Sequence, residues 1–532
     1  RALPLLGGAA HLLHPAAPRH LAALARLYGP ALRLRLGGAD VVVLSSVESI
    51  REAFTRRWGA CAGRPPSYLA GLVSRGGQDL ALGDVSPGWR RQRRATRDAL
   101  ARAQRRLDAV LAQQAQALCE DLRRYRGAPV DVAEDFAFRT CSTICSLVFG
   151  PLMPAEAEVR DFTRCIMGLL EVWGRASVRV LDLLPPLRAL PNPALRELLR
   201  LVEHRDAFVQ AQLQRHEAAG CPPGGMLGDL WPDPGVRGGP LGPDRLHMAL
   251  VDLFIGGTET TAAALAWAVA FLLHRPEVPP RTRHAHASSM LCTCQGHACV
   301  RSPACPGSPS PSVAFLLHRC KAHAKHMHPS CHAHACPCST RVSRVPFPVP
   351  RRPAAPLQMR CTRVTLPCAL HLRDTGVAAG VRAEVPGATR GLLGASVCET
   401  LRLRPPAPLA LPHRARAPTS IAGALVPRDS LLVPNLFAAH HDPDKWQRPE
   451  AFLPERFLEA GPGRALVPFG CGARACLGEG LARAELLVFL GHILRHFRLE
   501  PPAPGVLPSL EVTAGTVLRC PPFRVRLIAL EH

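Results

Sequence analysis

Aromatic residues are scarce in this chain of 532 residues, at 5%. A core built with so few rings must be filled by aliphatic side chains. The 47% hydrophobic share supplies them, and Ala, Leu and Arg together favour helices with Leu-rich faces. Acids are the second shortage: 41 Asp and Glu stand against 65 Lys and Arg, for a net charge of +24. The imbalance is local. Residues 281–383 hold fourteen Lys and Arg and a single acid, Asp374, so the whole-chain pI overstates how basic the rest is. A basic balance suits an acidic partner, anionic lipid or nucleic acid. No motif that reads RNA or DNA occurs, which sets the last aside. No apolar run of about 18 residues stands out, so no spanning helix is expected. The chain opens on Arg1 rather than Met, which leaves room for a leading anchor ahead of it. A disulfide framework is also missing. Of twenty cysteines, ten crowd into 292–368 and the others are scattered singly, so the bulk of the chain reads as reduced and cytosol-facing.

What is present is mostly helical patterning. Residues 31–46 read as a β-hairpin: Leu32, Leu34 and Leu36 alternate with arginines and Gly37-Gly38 supplies the turn. Ser45 and Glu48 form a capping box ahead of an apolar face of Ile50, Ala53 and Phe54. Residues 89–126, 133–149, 158–180 and 194–218 read as helices, broken at Gly127-Ala128-Pro129 and in the proline-rich 185–193. Residues 220–243 are a loop by their Gly and Pro content. One long buried helix is expected over 244–276, interrupted at Gly256-Gly257, and a short one over 391–404, ended by Pro405-Pro406. Short strands follow in 409–434, irregular chain in 440–475, an amphipathic helix over 477–498 and a strand-like tail. The expected fold class is mainly α with small β-sheets, an α+β arrangement.

Residues 278–386 are different in character. They are rich in Pro, Cys, His and Ser and lack helical or strand periodicity. They also contain a copy of a nearby string: VAFLLHR occurs at Val269–Arg275 and again at Val313–Arg319, with unmatched surroundings. A duplicated or misjoined coding piece, or a disordered insertion, accounts for this better than a repeat architecture. A metal-binding reading competes, through Cys331, His332, His334, Cys336 and Cys338, but the spacing is too crowded for a usual finger and no second pair follows. The expected organisation is therefore residues 1–277 and 387–532 as two parts of one domain, with 278–386 inserted between them.

The strongest chemical signal runs from Phe469 to Gly478, FGCGARACLG. A cysteine thiolate that binds haem iron needs a tight backbone loop, amide N–H groups aimed at the sulfur, and benefits from a helix N-terminus just beyond it. Gly470, Gly472 and Gly478 permit the loop, Cys476 would be the ligand, and a helix is expected from Leu477. Arg474 is spaced to reach an anionic haem edge. Cys471 is the rival ligand, disfavoured because Gly478 lies two residues after Cys476. A buried cysteine in a plain Gly-rich loop would carry none of this spacing.

This string resembles the haem-binding loop of the cytochrome P-450 family, and the resemblance implies that family's fold and haem b with an axial Cys thiolate. Glu399 and Arg402 share a helix face at i, i+3. Pro454-Glu455-Arg456-Phe457 resembles the family segment whose arginine joins such a pair, so Glu399, Arg402 and Arg456 are implied to lock the loop beneath the haem. A solvated surface pair is the bland alternative. Gly256-Gly257-Thr258-Glu259-Thr260-Thr261 resembles the family's oxygen-activating helix segment. There Thr260 would bond the carbonyl four residues back or donate to the oxygen substrate, and Glu259 would supply protons. A helix kinked only for packing is the alternative. Trp89, Arg93, His413 and Arg414 match places where the family approaches the haem propionates, for which Arg and His are suited.

The longer strings CSTICSLVFG (141–150), VDLFIGGTETT (251–261), ETLRLRPPAPLALPHRA (399–415) and FGCGARACLGEGLARAEL (469–486) resemble the branch of the family that hydroxylates steroids at C21. The resemblance spans about residues 4–277 and 387–530. It implies hydroxylation of progesterone or 17-hydroxyprogesterone with O2 and NADPH electrons through the diflavin NADPH–cytochrome P-450 reductase. It also implies the cytosolic face of the endoplasmic reticulum membrane, and a steroid pocket lined by Val251 and Asp252. The branch that hydroxylates at C17 is the nearest competitor, and an inactive product of a decayed gene is a further alternative. Two departures are visible. Residues 220–235 offer no arginine for a steroid 3-keto group, and the span from Thr260 to Glu399 is more than twice the family's.

Overall fold

Alternating leucines build the hairpin first. In a computed structural model of the chain, β1 (Ala31–Leu36) pairs antiparallel with β2 (Ala39–Leu44), Leu32 opposite Val43 and Leu34 opposite Val41. The four residues Val41–Leu44 are all buried, because both faces of β2 are covered. The structure describes residues 11–12, 14, 16–36, 39–220, 222–231, 241–278, 391–458, 462–512 and 515–530, all in one compact unit. The second VAFLLHR string and the Cys331–Cys338 cluster lie outside the described residues.

A distant segment completes the sheet. Of the later strands β3 (His413–Arg414), β4 (Thr419–Ile421), β5 (Ala424–Val426) and β6 (Leu431–Pro434), β6 adds parallel to β2 and β3 adds antiparallel to β6, giving the order β1-β2-β6-β3. β4 and β5 form their own hairpin. This sheet carries His413 from the far end of the chain to the hairpin near the N-terminus.

The helices follow the expected order: α1 (Ala17–Tyr28), α2 (Val47–Arg51), α3 (Pro87–Arg123), α4 (Ala133–Phe149), α5 (Glu156–Gly174), α6 (Pro193–Ala218), α7 (Pro243–His274), α8 (Leu392–Leu403) and α9 (Glu479–His496). After α9, β7 (Phe497–Glu500) pairs antiparallel with β8 (Arg526–Ala529). The expectation of a mainly helical chain with small sheets holds, with three local corrections. The N-cap of α2 is Ser46, whose hydroxyl accepts from the Ser49 amide at 3.1 Å; Ser45 instead closes the hairpin, its amide donating to the Pro30 carbonyl at 2.8 Å. Residues 220–243 are not all loop, since Met226–Leu230 are helical.

The third correction concerns α7, which runs unbroken through Gly256-Gly257. Gly257 is a packing glycine: a Cβ there would stand 2.6 Å from the Ile144 side chain of α4. Around Gly256 there is open space. α7 is also long and apolar enough to cross a membrane, which the expectation of no such run overlooked, but 72% of that stretch is buried inside the protein. It is the central core helix, wrapped by α4, α5, α6, α8 and α9.

Candidate functional site

Gly256 opens onto a cavity of about 370 Å3 bounded by α7, the loop 80–81, the start of α9 and the segment Pro468–Gly478. Its wall includes Cys476, Phe469, Thr260 and Asp252. The Cys476 side chain is exposed, but to this interior space; protein encloses it otherwise, and that desolvation pushes the thiol above its ordinary value. The Gly478 amide and the Arg93 charge act in the opposite direction, favouring the thiolate. The loop is held by the Cys476 amide, which donates to the Phe469 carbonyl at 3.0 Å, and Gly478 caps α9 immediately after the sulfur.

Gly472 is the residue the loop cannot exchange. Its φ is +73°, and a Cβ there would lie 1.7 Å from the Phe54 carbonyl oxygen. Gly472→Ala is expected to lower stability by about 3 kcal/mol, from left-handed strain plus overpacking. A drop in the thermal midpoint together with lower haem retention checks this; an unchanged midpoint would contradict it. Cys471, the rival thiol, packs against the hairpin cluster with its sulfur 3.8 Å from the Ile50 carbonyl.

Cations gather on one side of the cavity. Arg474 donates to the carbonyls of Ala62 (3.1 Å), Leu80 (2.9 Å) and Gly83 (2.8 Å) and lies 4.1 Å over the Trp89 ring. Arg93 donates to the Ala475 carbonyl at 2.5 Å. Arg64, which the sequence reading missed, is buried and donates to the carbonyls of Ala81 (2.7 Å), Leu411 (3.0 Å) and Pro412 (2.8 Å). Burial pulls Arg64 down to about 9 and Arg474 to about 10, and lowers Arg93 too, yet all three remain charged at neutral pH. None has an ion pair from its guanidinium among the described residues, although Asp79 and Asp84 act on Arg64 and Arg474, Asp252 acts on Arg474, and Asp84 accepts from the Arg64 backbone amide at 3.0 Å. Guanidiniums drawn out of solvent without an ion pair of their own are expensive, so this wall suits an anion. That fits the two carboxylates of haem, as the cavity-facing thiol fits its iron.

The other expected edge residues divide. Trp89 is buried, its Nε1 donating to the Leu80 carbonyl at 3.0 Å, and it serves as the platform for Arg474. His413 lines the cavity, with Nδ1 3.1 Å from the Cys61 carbonyl and its ring against Phe54. Burial, with Arg64 and Arg474 nearby, holds it well below the ordinary histidine value, so it is neutral and Nδ1 carries the hydrogen. Arg414 is not brought to the cavity. Its guanidinium is compensated by Asp84 (2.7 Å) and Asp429 (3.1 Å).

The helix residues also divide. Thr260 lines the cavity with its hydroxyl donating to the Gly256 carbonyl at 2.6 Å, the back-bond expected of it. Glu259 does not reach the cavity wall: its carboxylate is buried against Arg519, a partner 260 positions away that no local pattern announces. Asp252 lines the cavity and accepts from the Leu80 amide at 2.6 Å; burial, then Asp79, raise it well above the usual carboxylate range. Val251 faces the hydrophobic core instead, one position round the helix. Upstream on α6, Arg205 is buried beside Asp206, its Nε donating at 2.7 Å, and its charge acts on Asp252.

Glu399 and Arg402 are buried and meet the half-buried Arg456 as a triad. Arg402 forks onto Glu399 at 2.7 and 2.9 Å, Arg456 reaches the same carboxylate at 3.1 Å, and the Leu453 amide adds 2.9 Å. Arg402 further holds the carbonyls of His440, Pro449 and Ala451. The three side chains pin the segment leading into the cysteine loop to α8.

A sequence profile described as Cytochrome P450 matches residues 1–286 and 389–527. The steroid 21-hydroxylase of Bos taurus is 38% identical, across 98% of this chain and 90% of that protein; that of Homo sapiens is 36% identical, across 98% and 91%. A zebrafish cytochrome P450 solved with progesterone superposes with a TM-score of 0.69 at 27% identity, covering 97% of this chain and 99% of that one.

Proposed function

The chain belongs to the cytochrome P450 family and is a P450 monooxygenase; from that premise we propose that it binds haem b through Cys476 and hydroxylates the C21 methyl of progesterone and 17-hydroxyprogesterone. The observation that carries the reading is one cavity with a thiol facing it from the glycine loop and three guanidiniums without an ion pair among the described residues, Arg64, Arg93 and Arg474, on its wall. Bound haem supplies the reduction of O2, and a thiolate ligand donates the electron density that favours O–O cleavage.

The chain's own residues have separable roles. Arg64, Arg93 and Arg474 hold the carboxylate edge by charge-assisted bonds. The Glu399, Arg402 and Arg456 triad fastens the approach to the loop. Thr260, back-bonded to Gly256, presents its hydroxyl oxygen to the cavity as an acceptor. Asp252 sets a carboxyl beside the apolar Leu80 and Leu253 of the cavity wall, which suits an oxygenated steroid. Electrons are proposed to come from NADPH–cytochrome P450 reductase, at the cytosolic face of the endoplasmic reticulum.

The test is a carbon monoxide difference spectrum of the reduced protein, then incubation with progesterone, NADPH and the reductase. A thiolate-type Soret band and a 21-hydroxylated product are expected. A missing thiolate band overturns haem ligation, and a 17-hydroxylated product overturns the regiochemistry.

A further inference from the structure

Two carboxyls meet at the loop whose carbonyls Arg64 and Arg474 hold. Asp79 is buried, and its Oδ2 accepts from the Leu82 amide at 2.9 Å. Asp252 lines the cavity and keeps part of its surface open to it. Its Oδ2 accepts at 2.6 Å from the amide of Leu80, the residue next to Asp79, and the Ala81 amide bonds the same carboxyl. Leu80 thus joins the two acids: its amide is bonded to one, and its chain neighbour is the other. Neither acid makes an ion pair among the described residues, although Arg64 acts on Asp79, Arg205 acts on Asp252 and Asp252 acts on Arg474. Two carboxyls drawn out of water beside one another, each without a paired cation, do not both ionise at neutral pH.

We propose that Asp252 meets the substrate as a neutral carboxylic acid, its O–H donating to a ring ketone at the end of the steroid remote from the oxidised carbon, with Asp79 the positioning residue whose carboxylate keeps the proton there. This rests on the steroid-hydroxylase reading above and deepens it. Asp252 stands eight residues before Thr260, which is about 12 Å along α7. The two side chains therefore address opposite ends of a bound four-ring skeleton. Residues 220–235 hold no arginine for such a ketone, and Arg205 is committed to Asp206 at 2.7 Å. A ketone has lone pairs and no hydrogen to give, so a neutral acid binds it and a carboxylate repels it; an alcohol in the same place can donate and suits the carboxylate. Burial and then Asp79 raise Asp252 well above the usual carboxylate range, against the Leu80 and Ala81 amides and the Arg205 charge. The acid form exists below that raised value, so the ketone preference holds there and fades as pH rises through it.

The experiment titrates the full haem-loaded chain with progesterone and with its 3-hydroxy counterpart, reading the haem spectrum across the pH range in which the fold is stable. The wild type should prefer the ketone at neutral pH and shift toward the alcohol as pH rises. Asp252→Leu should weaken progesterone by about tenfold and the alcohol much less. Asp252→Asn keeps an N–H donor, so it should restore the ketone preference and remove its pH dependence. Asp79→Asn takes away the neighbouring charge, so the preference should fade at lower pH than in the wild type; a purely structural role for Asp79 would lower the thermal midpoint and leave that pH profile unmoved. Infrared difference spectra of wild type minus Asp252→Asn should contain a carboxylic-acid C=O band at neutral pH that moves when progesterone binds. A band that is missing or unmoved overturns the proposal, whatever the stability of the leucine variant. So does a ketone-to-alcohol preference that is flat with pH in the wild type and unchanged in Asp252→Leu. A wild type that keeps its thiolate band but is perturbed by neither steroid overturns the steroid reading itself, and this inference with it.

Discussion

Cys476→Ser is expected to abolish the thiolate signature of the reduced carbon monoxide complex, while Cys471→Ser leaves it in place. The two thiols are five residues apart in one glycine-rich loop, so composition alone does not separate them. Their surroundings do. Both border the cavity, but the Cys476 sulfur is the more exposed to it, has the Gly478 amide aimed at it, and lies where α9 begins. A thiolate there is stabilised by an N–H dipole and by the Arg93 charge. Cys471 packs into the cluster of Val42, Ile50 and Phe54, and burial raises it with only the Thr55 hydroxyl and Arg51 to offset the effect. A serine at 476 is nearly isosteric and should keep the loop, so the spectrum reports the ligand and not the fold. Circular dichroism matching wild type would confirm that separation, and retention of the thiolate band by Cys476→Ser would overturn the assignment.

What the sequence exposes about this site is what is local. The glycine spacing around Cys476, the Glu399–Arg402 pair on one helix turn and the Thr260 back-bond each need only a few neighbouring residues. They stand in the fold as those residues dictate. What it hides is decided by partners far along the chain. Glu259 looks like a cavity acid until Arg519 arrives beside it, and Arg414 looks like a haem contact until Asp84 and Asp429 neutralise it. Arg64 carries no motif; only the crossing of β3 past its segment makes it a buried cation at the cavity. Glu485 sits in a helix whose pattern, GLARAELL, reads as amphipathic with a solvated glutamate, yet α7 packs against that helix and Thr143 and Cys141 of α4 lie near the carboxyl. The hairpin follows from alternation alone, whereas the glycine at 257 in the unbroken α7 answers to Ile144 of a different helix, which needs the space. Burial of polar groups is thus the property least legible from spacing, since it is set by the pairing of elements and not by the element itself.

The same contrast makes the triad the most fragile part of the protein. Glu399→Ala is expected to destabilise the fold by about 3–5 kcal/mol, because it strands the buried Arg402 guanidinium, and the half-buried one of Arg456, without a countercharge. Glu399 is fully buried, and its two oxygens take Arg402 twice, Arg456 once and the Leu453 amide. Arg402 keeps its bonds to the His440, Pro449 and Ala451 carbonyls, so it stays in place and its charge stays unpaired. A loss of that size is a large part of the total stability of an ordinary domain. The outcome expected is poor soluble yield and little haem retained, with the 450–457 segment the first to gain proteolytic cuts. Glu399→Asp keeps the charge but shortens the reach; it should recover part of the loss, since one arginine can still be met. Arg456→Lys should cost less than either change to Glu399, because Arg402 alone still neutralises the carboxylate. Comparing denaturation midpoints and haem content across the three variants tests this order. If Glu399→Ala loaded haem and unfolded like wild type, the triad would have to be read as dispensable, and the anchoring of the cysteine loop would have to be sought in the backbone bond between Cys476 and Phe469.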